Sequence, residues 1–165
     1  IVDSKCRCGD WEGDTVIGKG HRGALVTLAE RKSRCTVIRA VHNKTTEAVR
    51  NAVTKGLMPH KDRVHTITYD NGREFTDHQG MASDLETKIY FAHPYASWER
   101  GLNENTNGLI RQYFPKQRDL TTVSSTEIEY TMDKLNHRPR KSLGYRTPHE
   151  VFFNTRTSLT VALGS

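Results

Sequence analysis

The sequence predicts an α/β domain, a mixed sheet with helices on its faces. Two observations carry this. The run "ALVTLAERKSRCTVIRAV" is β-branched and apolar on both sides of a charged tip, which is a hairpin signal. The whole chain then reads βββ, α, β, α, β, α, α. Three antiparallel strands followed by β-α units imply a mixed sheet covered by helices. At 165 residues the chain suits one such domain with a proper core.

Residues 1–9 are polar and read as irregular. Residues 11–18 and 24–30 read as strands, Arg31-Lys32-Ser33-Arg34 as a turn, and 35–41 as a third strand. Thr45 or Thr46 caps a helix whose Ala48, Val49, Ala52 and Val53 form one apolar face, closed by Gly56. "VHTITY" (64–69) is a fourth strand, and Asp70-Asn71-Gly72 turns the chain at its end. A short helix near 77–86, a short strand near 87–91 and a helix over 97–114 follow. Ser124-Ser125-Thr126-Glu127 is a capping box, with Ile128, Met132 and Leu135 at helical spacing until Arg138-Pro139 stops the helix. Thr147-Pro148-His149-Glu150 starts a last short helix. The expected organisation is an irregular segment over 1–9, one domain over 10–154 and a tail over 155–165.

Lys and Arg number 25 against 19 Asp and Glu, a net charge of +6 that suits a polyanionic partner. No stretch approaches the roughly 18 apolar residues of a membrane span, and no signal-peptide pattern opens the chain. Cys6, Cys8 and Cys35 lack partners at zinc-site spacing and read as free thiols in a reducing cytosol. Ile1 in place of Met reads as a fragment of a longer protein.

The stretch "DWEGDTVIG" (10–18) crowds three carboxylates into five positions at an apolar strand. An unpaired buried carboxylate costs on the order of several kcal/mol. Asp14 therefore lies at a wet edge or faces something positive. Asp70 closes a strand, where ligands gather in open α/β sheets, although Asp-Asn-Gly is also an ordinary turn sequence. Glu104 shares one helix face with Arg100, Asn107, Gly108 and Arg111. That face is polar, and it also fits a solvated surface carrying an Arg-Glu pair. Its asparagine and glycine content costs helix propensity, a hint that close approach or hydrogen bonding is wanted there. Gathered together, Asp14, Asp70 and Glu104 would stay ionised only around cations. Hard divalent ions, Mg²⁺ or Mn²⁺, suit such oxygen ligands. Spacing alone does not establish the cluster.

The blocks "GDWEGDTVIGK", "TITYDNGREF", "HPYASWERGLNENTNGLIRQYFPK" and "LNHRPRKSLGYRTPHEVF" resemble, in order, the catalytic core of IS-thirty family insertion-sequence transposases. That family lies in the DDE transposase and retroviral integrase superfamily. The resemblance runs from about residue 9 to 154, and the 33 residues between Asp70 and Glu104 suit the family's interval. Gly101 and Asn107 frame Glu104 as the family pattern requires and do not frame Glu99, its one rival. Asp10 and Glu12 lack such support and read as solvated, although Glu12 shares strand parity with Asp14.

The resemblance implies an RNase H-like fold, a five-stranded mixed sheet flanked by helices. It implies Asp14, Asp70 and Glu104 as catalytic ligands of two Mg²⁺ or Mn²⁺ ions, with Asp14 bridging both. It implies hydrolysis at transposon ends and transfer of the 3′-hydroxyl into target double-stranded DNA, with no nucleotide cofactor. Expected phosphate contacts are Asn71, Arg100, Asn107, Arg111, Lys116, Arg138, Arg140 and Lys141, with Arg118 and Arg146 beside them. Tyr95 and Trp98 could stack on a splayed base, but core packing suits them better. The family also implies an upstream end-recognition domain, a homo-oligomer in the active form, and a bacterial cytoplasmic, nucleoid-associated setting. Two other readings stay open: a nuclease or resolvase that only hydrolyses, and a non-catalytic DNA-binding module.

Overall fold

The structure, a computed structural model, describes residues 7–70, 72–92 and 101–154. Five strands form its sheet: β1 (Asp10–Ile17), β2 (Ala24–Glu30), β3 (Thr36–Val41), β4 (Thr66–Tyr69) and β5 (Lys88–Phe91). Their order is β3-β2-β1-β4-β5. β1 pairs antiparallel with β2 and β2 with β3, whereas β1–β4 and β4–β5 are parallel. This is the predicted mixed sheet, with β1 at its centre. The hairpin tip between β2 and β3 is tied by Glu30, whose Oε2 accepts from the Ser33 N–H at 2.6 Å. Its Oε1 accepts from the Gly9 N–H at 3.0 Å.

Strand alternation divides the apolar side chains between two cores. Trp11, Val26, Leu28, Ile67 and Tyr69 face one side, under α1 (Thr46–Leu57), α2 (His78–Leu85) and Phe152 of α5 (Pro148–Phe153). Val16, Leu25 and Ile38 face the other, under Ile110 of α3 (Gly101–Arg111) and Ile128 and Leu135 of α4 (Ser125–Asn136). Both cores rest on β1, so the middle of that strand is held from two sides.

The helix starts follow the capping chemistry, with one exception. Thr45 accepts from the Ala48 N–H, and Thr147 and Glu150 form a full reciprocal box. Ser124 accepts from the Glu127 N–H, but Arg118 takes the Glu127 carboxylate at 2.6 Å, so α4 shows only the Ser124 half of its expected box. Gly56 does not close α1, which continues to Leu57. A Cβ on Gly56 would lie 3.0 Å from Val37 Cγ1, so glycine there lets α1 approach β3. The helix expected over 97–114 ends at Arg111, and its 97–100 portion lies outside the described residues. The segments 1–6 and 155–165 lie outside them as well. Cys8 and Cys35 carry free thiols, and burial pushes the Cys35 thiol up to about 12, which makes it inert at neutral pH.

α4 also covers the outer edge of β3. The Asn136 Oδ1 accepts from the Thr36 N–H at 2.8 Å, and its Nδ2 donates to the Thr36 carbonyl at 2.9 Å. The side-chain amide thus occupies the place of a sixth strand, the site where an open edge invites another chain. Asn136→Ala should lose about 1–3 kcal/mol, read by urea denaturation, because two buried backbone groups lose their partners.

Candidate active site

Asp14 is carried by the middle of β1. The parallel register pairs Asp10 with Thr66, Trp11 with Ile67 and Glu12 with Thr68. Continued by two residues, it sets Asp14 level with Asp70, one residue past the end of β4. Adjacent strands lie about 4.8 Å apart, so the two carboxylates belong to one neighbourhood. Gly13 and Tyr69 explain the local packing. A Cβ on Gly13 would collide with the Tyr69 ring, which stacks on Phe75 with centroids 4.0 Å apart. Tyr69 is fully buried, and burial drives its hydroxyl far above the ordinary phenol range.

α3 lies across the Asp14 face. The Asn103 Nδ2 donates to the Gly13 carbonyl at 3.2 Å. The Asn107 Nδ2 donates to Asp14 Oδ2 at 2.9 Å, and its Oδ1 accepts from the Thr27 hydroxyl at 3.1 Å. The Thr15 N–H donates to the other oxygen, Asp14 Oδ1, at 2.8 Å. One turn further on, Arg111 Nη2 donates to the Ile17 carbonyl at 2.9 Å. The asparagines that weaken α3 as a helix are thus the groups that bind it to β1. Gly108 differs: a Cβ there would meet nothing within 4 Å, so close approach does not explain it.

Glu104 is exposed and stands one helical turn before Asn107 on the same flank of α3. The Asp70 Oδ1 accepts from the Gly72 N–H at 2.9 Å, so the Asx turn read from the sequence is real and shares the carboxylate with any other role. Among the described residues, no three His, Cys, Asp or Glu side chains are gathered closely enough to hold a metal. The donor chemistry nevertheless fits a hard divalent cation, since Asp14, Asp70 and Glu104 offer only carboxylate oxygen.

The expectation that Asp10 and Glu12 are solvated is corrected. Both are buried, at 1% and 2% exposure, and each carboxylate has an arginine. Arg7 grips Asp10 through two 3.0 Å bonds, with Thr66 Oγ1 donating to it at 2.7 Å. Burial alone would raise the Asp10 carboxyl, but the Arg7 and Thr66 hydrogen bonds outweigh it and hold the group below its usual range. Arg31 Nε meets Glu12 Oε2 at 3.1 Å, both side chains being almost fully buried.

The expected phosphate contacts divide by how they are used. Lys116 and Lys141 are exposed, as is Arg138, which reaches the Tyr113 hydroxyl at 3.4 Å. Arg140 donates to the Leu135 carbonyl at 3.1 Å, Arg146 to the Glu150 carbonyl at 3.2 Å, and Arg118 pairs with Glu127. Arg111 and Asn107 likewise spend their donors inside the protein. Asn71, Tyr95, Trp98, Glu99 and Arg100 lie outside the described residues.

Comparison with known proteins decides what kind of sheet this is. The family described as "Integrase core domain" matches residues 6–97, more than half of the chain. The chain belongs to that family. The match takes in β1 and β4, and with them Asp14 and Asp70. This integrase core is 48% identical, over all of its length, to the transposase for insertion sequence element IS4351 of Bacteroides fragilis, and covers 51% of that protein. It is 40% identical over 91% of its length to transposase InsI for insertion sequence element IS30A of Escherichia coli K12, of which it covers 39%. The chain thus spans about half or less of the curated relatives it matches, and these two are insertion-sequence transposases, as the four sequence blocks implied. Solved structures agree on the fold. A chain of the simian T-cell lymphotropic virus intasome superposes with TM-score 0.72 at 18% identity, covering 92% of this chain and 56% of that one. The HTLV-2 integrase catalytic core domain in complex with magnesium superposes with TM-score 0.68 at 18% identity, covering 88% of this chain and 97% of that one. The architecture is RNase H-like. No helix among the described residues is long and apolar enough to cross a membrane.

Proposed function

We propose that this integrase core is the catalytic domain of an insertion-sequence transposase, and that Asp14, Asp70 and Glu104 are its catalytic carboxylates. The observation that supports this most directly is the register that sets Asp14 level with Asp70, with α3 hydrogen-bonded to Asp14 through Asn107. The three carboxylates would hold divalent cations, Mg²⁺ or Mn²⁺ and two in the active complex, whose Lewis acidity activates an attacking oxygen and stabilises a leaving one. Asn107 and the Thr15 N–H orient the Asp14 carboxylate, and Gly72 does the same for Asp70. In the first reaction a water oxygen bonds to phosphorus at the element end and the P–O3′ bond breaks, freeing a 3′-hydroxyl. In the second that hydroxyl attacks a target phosphodiester, its proton passes to solvent, and the displaced target 3′-oxygen leaves. One ester bond replaces another, so no nucleotide is consumed. Lys116, Arg138 and Lys141, exposed on the surface, would bind DNA phosphates and make the affinity salt-sensitive. The setting is the bacterial cytoplasm, on DNA, in a homo-oligomer of the full-length protein.

The test uses the full-length protein, Mg²⁺ and a labelled DNA end with a free 3′-hydroxyl. The wild type should give strand-transfer product, which separates a transposase from an enzyme that only hydrolyses. Glu104→Gln, on an exposed position, should fold normally and lose at least about a hundredfold in rate. Undiminished product from that variant would remove Glu104 from the site.

A further inference from the structure

Glu74 is buried at 8% exposure, in the turn just after Asp70. Its Oε1 meets Lys44 Nζ at 3.1 Å and accepts from the Thr15 hydroxyl at 3.1 Å. Gly72 is wedged against it: a Cβ there would lie 2.5 Å from Glu74 Oε2 and 2.9 Å from Asp70 Oδ1. The backbone at Gly72 is ordinary, with φ −64°, so glycine is needed for this close approach and not for its torsion.

Thr15 and Gly72 are also the residues whose N–H groups donate to Asp14 Oδ1 and Asp70 Oδ1. One buried carboxylate therefore touches both residues that orient the two strand-borne aspartates. Alternation along β1 puts Thr15 on the face opposite Asp14, so Glu74 acts from behind the sheet. We propose that Glu74, charged-paired with Lys44, is a positioning residue that locks Thr15 and Gly72 and so sets the Asp14 and Asp70 carboxylates for a divalent cation. This rests on the reading of those aspartates as ligands. Partners one step removed from a metal typically change affinity or activity by about 10–100-fold when lost.

The test is a Mn²⁺ titration of the ¹⁵N-labelled chain, following paramagnetic broadening of the Thr15 and Gly72 amide signals. Glu74→Gln and Lys44→Met should each move both signals and raise the Mn²⁺ midpoint about tenfold. In the full-length protein they should lower kcat for strand transfer with KM for DNA unchanged, and Glu74→Asp should recover part of it. An unchanged midpoint and rate in both variants would overturn the proposal and leave Glu74 a packing residue. If Glu74→Gln fails to fold, Lys44→Met decides alone, since the Lys44 side chain is 34% exposed and belongs to neither apolar core. Asp14→Asn and Asp70→Asn are run beside them. Broadening lost in those two but unmoved in the Glu74 and Lys44 variants rejects only the role of Glu74. Broadening retained in the aspartate variants rejects the ligand assignment itself.

Discussion

Asp14→Asn is expected to stay folded and, on the proposed role of Asp14 as a cation ligand, to lose DNA cleavage by about a thousandfold or more. The substitution is nearly isosteric, so packing is kept. Hydrogen bonding can also be kept. The aspartate accepts from the Thr15 N–H and from Asn107 Nδ2. An asparagine can still accept from Thr15, and its own NH₂ then faces Asn107. A flip of the Asn107 amide turns its oxygen toward that NH₂ and its nitrogen toward Thr27, whose hydroxyl can still donate to the Asp14 carbonyl, now 3.4 Å away. The net cost should stay within about 1 kcal/mol, the usual worth of one rearranged hydrogen bond. Thermal unfolding and a cleavage assay with Mg²⁺ on the same preparation measure the two effects. Cleavage near the wild-type rate, with the fold intact, would end the assignment of Asp14.

Much of the fold was legible because local chemistry and tertiary demand agree in it. "ALVTLAE" and "TVIRAV" are apolar on both sheet faces because α1 covers one and α3 or α4 the other, so their β-propensity was never in conflict with burial. Thr45, Ser124 and Thr147 mark helix starts since each must answer an open N–H. Asp14 stood out for the opposite reason, as a carboxylate inside an apolar strand, whereas Asp70 closes β4 in the Asx turn that its Asp-Asn-Gly sequence already suggests. The features that were missed depend on contacts between distant segments. Arg31 belongs to the turn after β2, and only the β1–β2 register, Trp11 against Glu30, brings it to Glu12. Gly56 looks like a helix stop until β3 is laid beneath it. Glu74 lay in view inside "YDNGREF", but its meaning needs Thr15 and Lys44, 59 and 30 residues away along the chain.

The same strand carries the opposite experiment. Arg31→Met should destabilise the domain by about 3–5 kcal/mol, since it strands a buried carboxylate that has lost its cation. For a domain of this size that is roughly a 10 °C fall in Tm. Glu12→Gln combined with Arg31→Met should recover much of the loss, because replacing both charges removes the desolvation penalty along with the attraction. Activity per folded molecule should move little in the double variant, since Glu12 pairs with Arg31 inside the fold and is buried. Asp14 and Glu12 are two residues apart, on one face of one strand, and both are acidic. A charge answered by an arginine from its own fold contributes to stability, and its loss is read in Tm. Asp14 accepts from Asn107 and the Thr15 N–H, and its proposed ligand role predicts a loss read in rate and not in Tm. Urea melts and cleavage rates measured across the four chains would separate the two. If Asp14→Asn destabilised as Arg31→Met does, or if the Glu12 and Arg31 double variant cleaved as poorly as Asp14→Asn, that division along β1 would not stand.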